Sequence, residues 1–306
     1  MSSPATPHER RPLVLFGATG QVGRELMQAL APLGSVVAPR RDVADLTKPQ
    51  MLRDVIRAAR PAAVVNAAAL TNVDQAEREP MLARAINEVA PGVMAEEGRR
   101  IGAVVVHYST DYVFDGTATT PYDERAHPNP INLYGQTKLA GERSVTAADA
   151  AHLIIRTSWV YSAGGKGFVP TLVRQLKDGA PVRVVADQTG SPTWSRSLAR
   201  LTAAILQSIA APGRFELPRD DWGIYHLGGG GAGSRLDIAH EIISALAPLA
   251  AASLPVVIPI SAADFNAVAK RPTYTALSND RVSRRFDLRL DHWRLEIRRM
   301  LGTELE

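Results

Sequence analysis

Three glycines at three-residue spacing constrain the fold of this chain more than any other feature of its sequence. Gly17, Gly20 and Gly23 separate a short apolar run, Leu13–Phe16, from a stretch of helical period. In a strand–turn–helix unit of this kind, the first glycine permits a tight turn, the second lets the backbone approach a pyrophosphate, and the third allows the helix to pack closely on the sheet. The N-terminus of the helix then faces the anion. The spacing therefore predicts a dinucleotide-binding unit near the start of the chain.

Apolar runs of strand length alternate with helical segments through the first half of the chain. Strands that are apolar on both faces belong inside a parallel sheet that is covered by helices. The pattern predicts an α/β fold, a Rossmann-like doubly wound parallel sheet with a smaller C-terminal substrate-binding lobe. The further strands are expected at residues 36–37, 63–65, 103–106 and 153–155, and the helices between them at 51–59, 81–100 and 132–147.

The domain boundaries follow from where this alternation loosens, after about Trp159. We assign residues 12–160 to the dinucleotide-binding domain and expect later segments between about 180 and 235 to join it. Residues 161–306 are predicted to form mainly the substrate-binding lobe, built from discontinuous pieces. Residues 1–11 are polar, lack the apolar region of a secretory signal and are predicted to be a disordered lead-in.

Composition excludes several classes of protein. The 306 residues contain no cysteine, which excludes a disulfide scaffold, a Cys-ligated metal site and a thiol nucleophile. The 35 Lys and Arg residues are scattered, so charge does not suggest nucleic-acid binding. Three prolines interrupt the uncharged stretch 242–263, which favours a buried helix, a turn and a short strand over a membrane span. We expect a cytoplasmic protein with no nucleic-acid or membrane partner.

A tyrosine and a lysine share one face of a predicted helix. Tyr134 and Lys138 stand four residues apart in the segment that begins near Asn132. Because a neighbouring ammonium favours the phenolate, we predict that Lys138 lowers the pKa of Tyr134 and eases proton donation to a developing alkoxide. This is general acid catalysis beside a hydride donor. The alternative is a pair of exposed side chains on a helix surface.

The sequence Ser109-Thr110-Asp111 follows the strand predicted at 103–106. It is therefore expected at the carboxyl edge of the sheet, where ligands bind in an open parallel sheet. A hydroxyl there can hydrogen-bond both a substrate carbonyl oxygen and the tyrosine, although the same residues suit a turn or a helix cap. The seven histidines show no ligand spacing, so no metal site is predicted.

Arg40 and Arg41 follow the second predicted strand, where an NAD-binding chain would carry an acid for the ribose 2′-hydroxyl. Two cations instead suit a 2′-phosphate, which predicts NADPH as the cofactor, with NADH as an alternative. Two solvated loop arginines are the competing interpretation, and Asp42 lies close enough to complicate it.

Seven segments together resemble the extended short-chain dehydrogenase/reductases, and within them the dTDP-4-dehydrorhamnose reductases, over nearly the whole chain. Their order and spacing are specific only in combination. The segments are GATGQVG at 17–23, DLT at 45–47, VNAAA at 65–69, HYSTDYVF at 107–114, YGQTKLAGE at 134–142, RTSWVY at 156–161 and DQTGSPT at 187–193.

The resemblance implies reduction of the C4 ketone of dTDP-4-dehydro-β-L-rhamnose by a nicotinamide cofactor, the last step of dTDP-L-rhamnose synthesis. It implies that Thr110, Tyr134 and Lys138 are the catalytic set and that Asp111 and Trp159 lie against the sugar. The same resemblance implies cofactor contacts from Gln21 and Val22 at the pyrophosphate, Asp45 and Leu46 at the adenine, and Ala67, Ala68 and Ala69 along the third strand.

Some relatives dimerise through a metal shared by acidic side chains, one of them early in the helix after the Asp-Gln motif. Here that helix opens Trp194-Ser195-Arg196-Ser197 without an acid. A metal-bridged dimer is therefore not expected, and we expect a monomer or a weak homodimer.

Other proteins of the superfamily remain as alternatives. Sugar-nucleotide dehydratases commonly follow the catalytic Thr with Asp-Glu, and the pair Asp111-Tyr112 argues against elimination. Epimerases regenerate a tightly held NAD, whereas Arg40 and Arg41 favour an exchangeable NADPH. A third alternative is a non-catalytic subunit that binds nucleotide to regulate another enzyme, against which the intact catalytic set argues.

Overall fold

The computed structural model describes residues 11–164, 167–179, 181–249 and 255–302. Residues 1–10 of the predicted lead-in lie outside the described residues. Arg11, the last residue of that segment, is ordered, contrary to the prediction. Its guanidinium donates hydrogen bonds to the carbonyls of Arg60, Pro61 and Ile101, at 2.7 to 2.9 Å. These carbonyls lie at the ends of helices, where the backbone lacks helical partners.

The strands and helices alternate along most of the chain. The strands are β1 Leu13–Phe16, β2 Val36–Val37, β3 Ala63–Asn66, β4 Val104–Thr110, β5 His152–Thr157, β6 Val160–Tyr161, β7 Val182–Val185, β8 Thr189–Gly190, β9 Thr193–Trp194, β10 Ala210–Ala211, β11 Arg214–Phe215, β12 Gly223–His226, β13 Gly233–Ser234 and β14 Val257–Ile260. The helices are α1 Gln21–Ala29, α2 Pro49–Ala59, α3 Val73–Arg78, α4 Pro80–Arg84, α5 Ala90–Ile101, α6 Leu133–Ala147, α7 Phe168–Lys177, α8 Ser195–Ser208, α9 Arg235–Leu246, α10 Ala262–Phe265, α11 Asp280–Phe286 and α12 Trp293–Leu301. A π-helical turn, Ala85–Val89, joins α4 to α5.

Six parallel strands form the central sheet in the order β12-β5-β4-β3-β1-β2. Helix α1 packs against α8, while α2 and α6 pack against α5. Separate apolar clusters fill the two faces of the sheet, one that includes Leu15, Val65 and Leu198 and one that includes Val14, Val64 and Leu52. This is the doubly wound parallel sheet predicted from the sequence.

The glycine turn is as tight as its spacing requires. Gly17 has φ +84°, and a Cβ there would lie 2.7 Å from the backbone nitrogen of Ala68. A Cβ on Gly23 would lie 2.0 Å from the carbonyl oxygen of Gly17. The first position therefore needs glycine for its backbone angle, and the third needs it because α1 packs directly on the turn.

Strand β4 is longer than the sequence predicted. It runs from Val104 to Thr110, and all seven of its residues are buried. Its polar second half suggested a strand end, but His107 and Ser109 are buried between the sheet and its helices with hydrogen-bond partners there. Ser109 and Thr110 thus end the strand rather than follow it.

The second half of the chain contributes to two apolar cores. Strand β12 joins the central sheet beside β5, and α8 packs below it. A separate core, centred on Trp293 and Ile242, gathers α7, α9, α12 and the parallel pair of β7 and β14. Within the stretch 242–263, α9 ends at Leu246 and β14 begins at Val257. Among the described residues, no helix is both long and apolar enough to cross a membrane.

A buried ion pair links strands β4 and β5 to helix α6. Arg156 on β5 donates to both carboxylate oxygens of Glu142 on α6, at 2.9 and 2.7 Å, and Ser109 on β4 donates to the same carboxylate at 2.5 Å. The two charged side chains are only 2% and 3% exposed. Removal of one partner would leave an uncompensated charge in the core.

We therefore expect Arg156→Met to lower the free energy of unfolding by about 3–5 kcal/mol in urea titrations. The exposed pair Arg125–Asp123 is the matched control, and Arg125→Met should cost less than about 1 kcal/mol. The double variant Arg156→Met/Glu142→Leu should recover part of the loss, because no charge stays buried. Equal losses in Arg156→Met and Arg125→Met would show that the buried pair is not coupled to folding.

Candidate active site

A cleft of 920 Å³ opens at the carboxyl edge of the central sheet. The glycine turn after β1, the residues after β3 and the end of β4 meet there because these strands are parallel neighbours. Helix α6 forms one wall, and Trp159, Phe168, Arg235 and Arg271 line the other side. The cleft is lined by these predicted residues: Gly17, Gly20, Gln21, Val22, Ala67, Ala68, Ala69, Thr110, Asp111, Tyr134, Lys138 and Trp159.

Four predicted cofactor residues do not line the cleft. Three of them line a neighbouring cavity, and the fourth packs against the glycine turn. Arg40, Asp45 and Leu46 line a cavity of 590 Å³ that shares Gly17 and the residues after β3 with the cleft. Gly23 lines neither cavity, because it packs against the carbonyl of Gly17. The structure therefore corrects its place in the predicted cofactor contacts, since Gly23 supports the turn from behind.

The arginine loop after β2 is exposed. The side chain of Arg40 is 87% exposed, and its Nε lies 3.8 Å from Oδ1 of Asp42. Arg41 makes a similar long contact of 3.8 Å with Asp45. Hydrogen bonds from Thr47 lower the pKa of the Asp45 carboxyl and hold it in place. The Arg40 guanidinium is thus a cation at the mouth of the second cavity, held by one distant partner among the described residues.

Tyr134 stands in the first turn of α6, which Asn132 caps by accepting a hydrogen bond from the backbone nitrogen of Gly135. A Cβ on Gly135 would lie 2.1 Å from the carbonyl oxygen of Tyr112, so the helix sits directly against the turn after β4. This places the Tyr134 ring edge-on to Tyr112, with centroids 5.8 Å apart. Thr110, at the end of β4, lines the same cleft as Tyr134.

The predicted effect of Lys138 on Tyr134 is wrong in this structure. Burial raises the pKa of Tyr134, and the interaction with the Thr110 side chain opposes that shift only in part. The ammonium of Lys138 is directed elsewhere, since it donates to the carbonyl oxygen of Tyr108 at 2.6 Å. Burial also lowers the pKa of Lys138 to about 8. Desolvation is the largest cause of the pKa shift of both groups, and it cannot be read from a sequence.

Asp111 lies at the bottom of the cleft beside Thr110. Its carboxylate accepts hydrogen bonds from the hydroxyls of Thr110, at 3.0 Å, and Ser158, at 2.8 Å. Burial raises the pKa of Asp111 to about 6 in spite of these donors. Ser109 and Thr110 both line the cleft, but the hydroxyl of Ser109 donates to Glu142, whereas that of Thr110 donates to Asp111. The structure therefore brings together Thr110, Asp111 and Tyr134.

Trp159 follows β5 in a strained conformation, with φ +45°. Its ring lies against Gly190, where a Cβ would be 2.6 Å from the indole Cε2. The guanidinium of Arg235 lies over the ring, 4.3 Å from its centroid. The buried indole Nε1 has no hydrogen-bond partner among the described residues.

Two arginines in the cleft were missed by the sequence analysis. Arg235 and Arg271 line both the cleft and an adjoining cavity of 850 Å³ between the two lobes. Arg271 is paired with Asp74 at 3.1 Å. No motif marks either residue, and both lie far along the chain from the glycine turn. Their presence gives the outer part of the cleft a positive charge that suits a diphosphate.

No three histidine, aspartate or glutamate side chains are grouped to hold a metal ion in the part of the chain that the structure describes. Helix α8, which follows the Asp-Gln motif, begins Ser195-Arg196-Ser197 and has no acidic residue in its first turn. Arg196 instead reaches Glu25 at 3.2 Å.

Comparisons with known proteins match nearly the whole chain. A family model described as the RmlD substrate-binding domain matches residues 11–305. A dTDP-4-dehydrorhamnose reductase from Burkholderia thailandensis is 40% identical over 294 residues, which cover 93% of this chain and 96% of that protein. A protein of the same name from Salmonella typhimurium is 40% identical over 302 residues, covering 96% and 97% of the two chains.

Solved structures agree with these matches. A dTDP-4-dehydrorhamnose reductase from Bacillus anthracis, crystallised in complex with NADP, has a TM-score of 0.86 and 32% identity, covering 96% of this chain and 100% of that one. A UDP-glucose 4-epimerase from Thermus thermophilus in complex with NAD has a TM-score of 0.76 at 19% identity, covering 95% and 98% of the two chains. The latter likeness concerns the fold alone.

The buried Asp111 generates a prediction about pH. Because its folded pKa of about 6 lies above the ordinary 3.8, the ionised carboxylate destabilises the fold, and this cost grows as pH rises from about 4 to about 6. Compared with Asp111→Asn, wild type should therefore lose about 1 kcal/mol of stability between pH 5 and pH 7 in urea titrations. The same change at the exposed Asp280 should leave the pH dependence of wild type unaltered. A difference of opposite sign would mean that the two hydroxyl donors outweigh burial.

Proposed function

The chain belongs to the family of the RmlD substrate-binding domain, whose relatives described above are dTDP-4-dehydrorhamnose reductases, and on that premise we propose that it reduces the C4 ketone of dTDP-4-dehydro-β-L-rhamnose to dTDP-L-rhamnose. The reductant is NADPH, in keeping with the NADP complex of the Bacillus anthracis relative. The observation that carries the proposal is the meeting of the Tyr134 hydroxyl, Thr110 and the glycine turn in one cleft.

The residues at the sheet edge fit a dinucleotide. The turn at Gly17 leaves no room for a Cβ, and Gly20, Gln21 and Val22 open into the cleft at the N-terminus of α1, where backbone N–H groups favour an anion. Asp45 and Leu46 line the neighbouring cavity for the adenine end, and the alanines after β3 continue the same wall. When bound, the cofactor supplies the hydride that adds to C4.

Tyr134 supplies the proton in this proposal. Its raised pKa keeps the hydroxyl protonated at neutral pH, which is the form needed to protonate the oxygen of the ketone. The hydroxyl of Thr110, in the same cleft, offers a second donor to that oxygen in place of its bond to Asp111. Lys138, buried below, belongs to the catalytic set as the residue that positions the cofactor ribose and supports proton supply.

The sugar and the diphosphate are assigned to the other side of the cleft. Asp111 accepts a hydroxyl of the sugar, and the part of the Trp159 ring that lines the cleft packs against the 6-deoxy methyl group and the ring carbons. Arg235 and Arg271 meet the diphosphate, since both guanidinium groups line the cleft and the adjoining cavity.

We also propose a cytoplasmic monomer or weak homodimer. The proposal rests on the first turn of α8, which carries no acidic residue. Both substrates in the proposed reaction are anionic nucleotides, which are held inside cells, and this supports the location.

The proposal predicts that the protein oxidises NADPH only when the sugar-nucleotide ketone is present, with the ketone generated from dTDP-glucose by the upstream enzymes. Tyr134→Phe should lose on the order of 10²- to 10⁴-fold in kcat, because general acid catalysis is removed, and should still bind NADPH.

Tyr225→Phe is the matched control for this variant. It removes the hydroxyl of a buried tyrosine that donates to the carbonyl oxygen of Asp221 at 2.6 Å and does not line the cleft. Unchanged turnover in Tyr134→Phe would remove this tyrosine from the mechanism. Failure of wild type to turn over, with nucleotide binding intact, would instead favour the non-catalytic alternative.

Cofactor choice gives a separate prediction. The exposed Arg40 can meet a 2′-phosphate with forked donors, whereas an acid there would repel it and bind the ribose hydroxyls. Arg40→Asp should therefore raise KM for NADPH by roughly tenfold to a hundredfold and lower KM for NADH. Because the contact is exposed, the NADPH preference of wild type should fall as salt concentration rises.

The equally exposed Arg125, which lines neither the cleft nor the neighbouring cavity, provides the control Arg125→Asp. If Arg40→Asp and Arg125→Asp leave both KM values unchanged, Arg40 does not contact the cofactor. The reductase assignment would stand in that case.

A further inference from the structure

A buried histidine that the proposed mechanism does not use contacts the catalytic lysine. His107 on β4 is 1% exposed, and its Nε2 lies 3.3 Å from the Nζ of Lys138. On the other side of the ring, Nδ1 lies 3.1 Å from the amide Nδ2 of Asn66. The parallel register of β3 and β4 makes Asn66 and His107 direct neighbours. The three side chains form a continuous buried row, Asn66–His107–Lys138.

The orientation of the Asn66 amide is fixed by the backbone. Its Oδ1 accepts a hydrogen bond from the backbone nitrogen of Ala68, at 3.1 Å. Nδ2 is therefore the atom that faces His107, and an amide nitrogen has only hydrogens to offer. Nδ1 of His107 must be the acceptor, so the neutral ring carries its hydrogen on Nε2.

This tautomer determines whether His107 presents a hydrogen-bond donor or an acceptor to Lys138. The Nε2–H of His107 is directed at Nζ, and an ammonium has no lone pair to accept it. A neutral amine accepts from Nε2–H with its lone pair and still donates to the carbonyl oxygen of Tyr108 at 2.6 Å. His107 is itself neutral, because burial and the charge of Lys138 lower the pKa of this histidine well below its usual value. A protonated ring would also carry a hydrogen on Nε2, so it would not provide an acceptor for the ammonium.

We propose that Asn66 fixes His107 in the Nε2–H tautomer and that this N–H positions Lys138 and favours its neutral amine. Asn66 and His107 are thus positioning residues for the lysine. The inference rests on the proposed catalytic role of Lys138. In that role the neutral amine is the form that Lys138 takes each time it gives up a proton, and a proton from solvent restores the ammonium.

The other charged groups around Lys138 do not offset this effect. Glu142, one turn along α6, raises the pKa of Lys138, but its carboxylate is paired with Arg156 and accepts a bond from Ser109. The charge of Asp111 acts on Tyr134. Burial is the larger effect on Lys138, and it lowers the pKa to about 8, in the direction that the tautomer requires.

The test is a titration of the full-length protein by NMR, without sugar or cofactor. The chain has five lysines, so ¹³Cε labelling gives few signals, and Lys138→Arg identifies the signal of Lys138 by its loss. Nitrogen-15 spectra of the histidine rings report the tautomer directly, with His107→Gln for assignment. In wild type we expect the Nε2–H tautomer for His107 between pH 6 and pH 9 and a midpoint for Lys138 near 8.

Asn66→Ala removes the amide donor without adding a charge. The hydrogen of His107 can then move to Nδ1, and its free Nε2 can accept from the ammonium. We expect the midpoint of Lys138 to rise by about one pH unit, a tenfold change in proton affinity.

Asn87→Ala is the matched control, because Asn87 is equally buried and bonds Leu70 and Thr137 rather than His107. Its titration should match wild type. An Nδ1–H tautomer in wild type would overturn the proposal, even if no variant folds. Equal Lys138 midpoints in wild type and Asn66→Ala would overturn it as well. Neither result depends on turnover, so the reductase assignment is tested separately.

Discussion

Strand β4 is the element on which the rest of the structure depends. It lies third from one end of the parallel sheet, between β3 and β5, and every one of its seven residues is buried, including four with polar side chains. Buried polar groups need partners, and each partner comes from a different element: Asn66 from β3, Glu142 from α6 and Thr202 from α8. The hydrogen bonds that these buried side chains of β4 require therefore fix the positions of the neighbouring elements. The catalytic geometry is a consequence of that packing.

Local patterns carried the prediction of the scaffold. The apolar runs at 13–16 and 63–65 and the glycine spacing predicted strands, turn and helix correctly, because burial on both faces and tight turns leave local marks in a sequence. The end of β4 was misjudged because buried polar residues resemble the residues of a loop. The hydroxyl at Thr110 and the position of Tyr134 were nonetheless recognisable, because a strand end and an i, i+4 pair are also local features.

Non-local features escaped the sequence. The shifts of Tyr134 and Lys138 depend on desolvation, which only the assembled fold creates, and the sequence argument gave the wrong sign for the tyrosine. Arg235 and Arg271 reach the cleft from the second lobe, about a hundred residues after Tyr134 or more, and no spacing connects them to it. The row from Asn66 to Lys138 likewise depends on the register of two strands and one helix.

The place of β12 has a consequence for how the chain is made. Gly223 on β12 pairs with Leu153 on β5. The outer edge of β5 therefore stays unpaired until β12, seventy residues further along the chain, has been synthesised. At roughly 5–20 residues per second, this delay on the ribosome is about 4 to 14 s. Throughout that interval the apolar strand β5 presents unpaired backbone groups to any other nascent chain. The yield of folded protein in a crowded cell therefore depends on how quickly α8 and β12 follow β5 out of the exit tunnel.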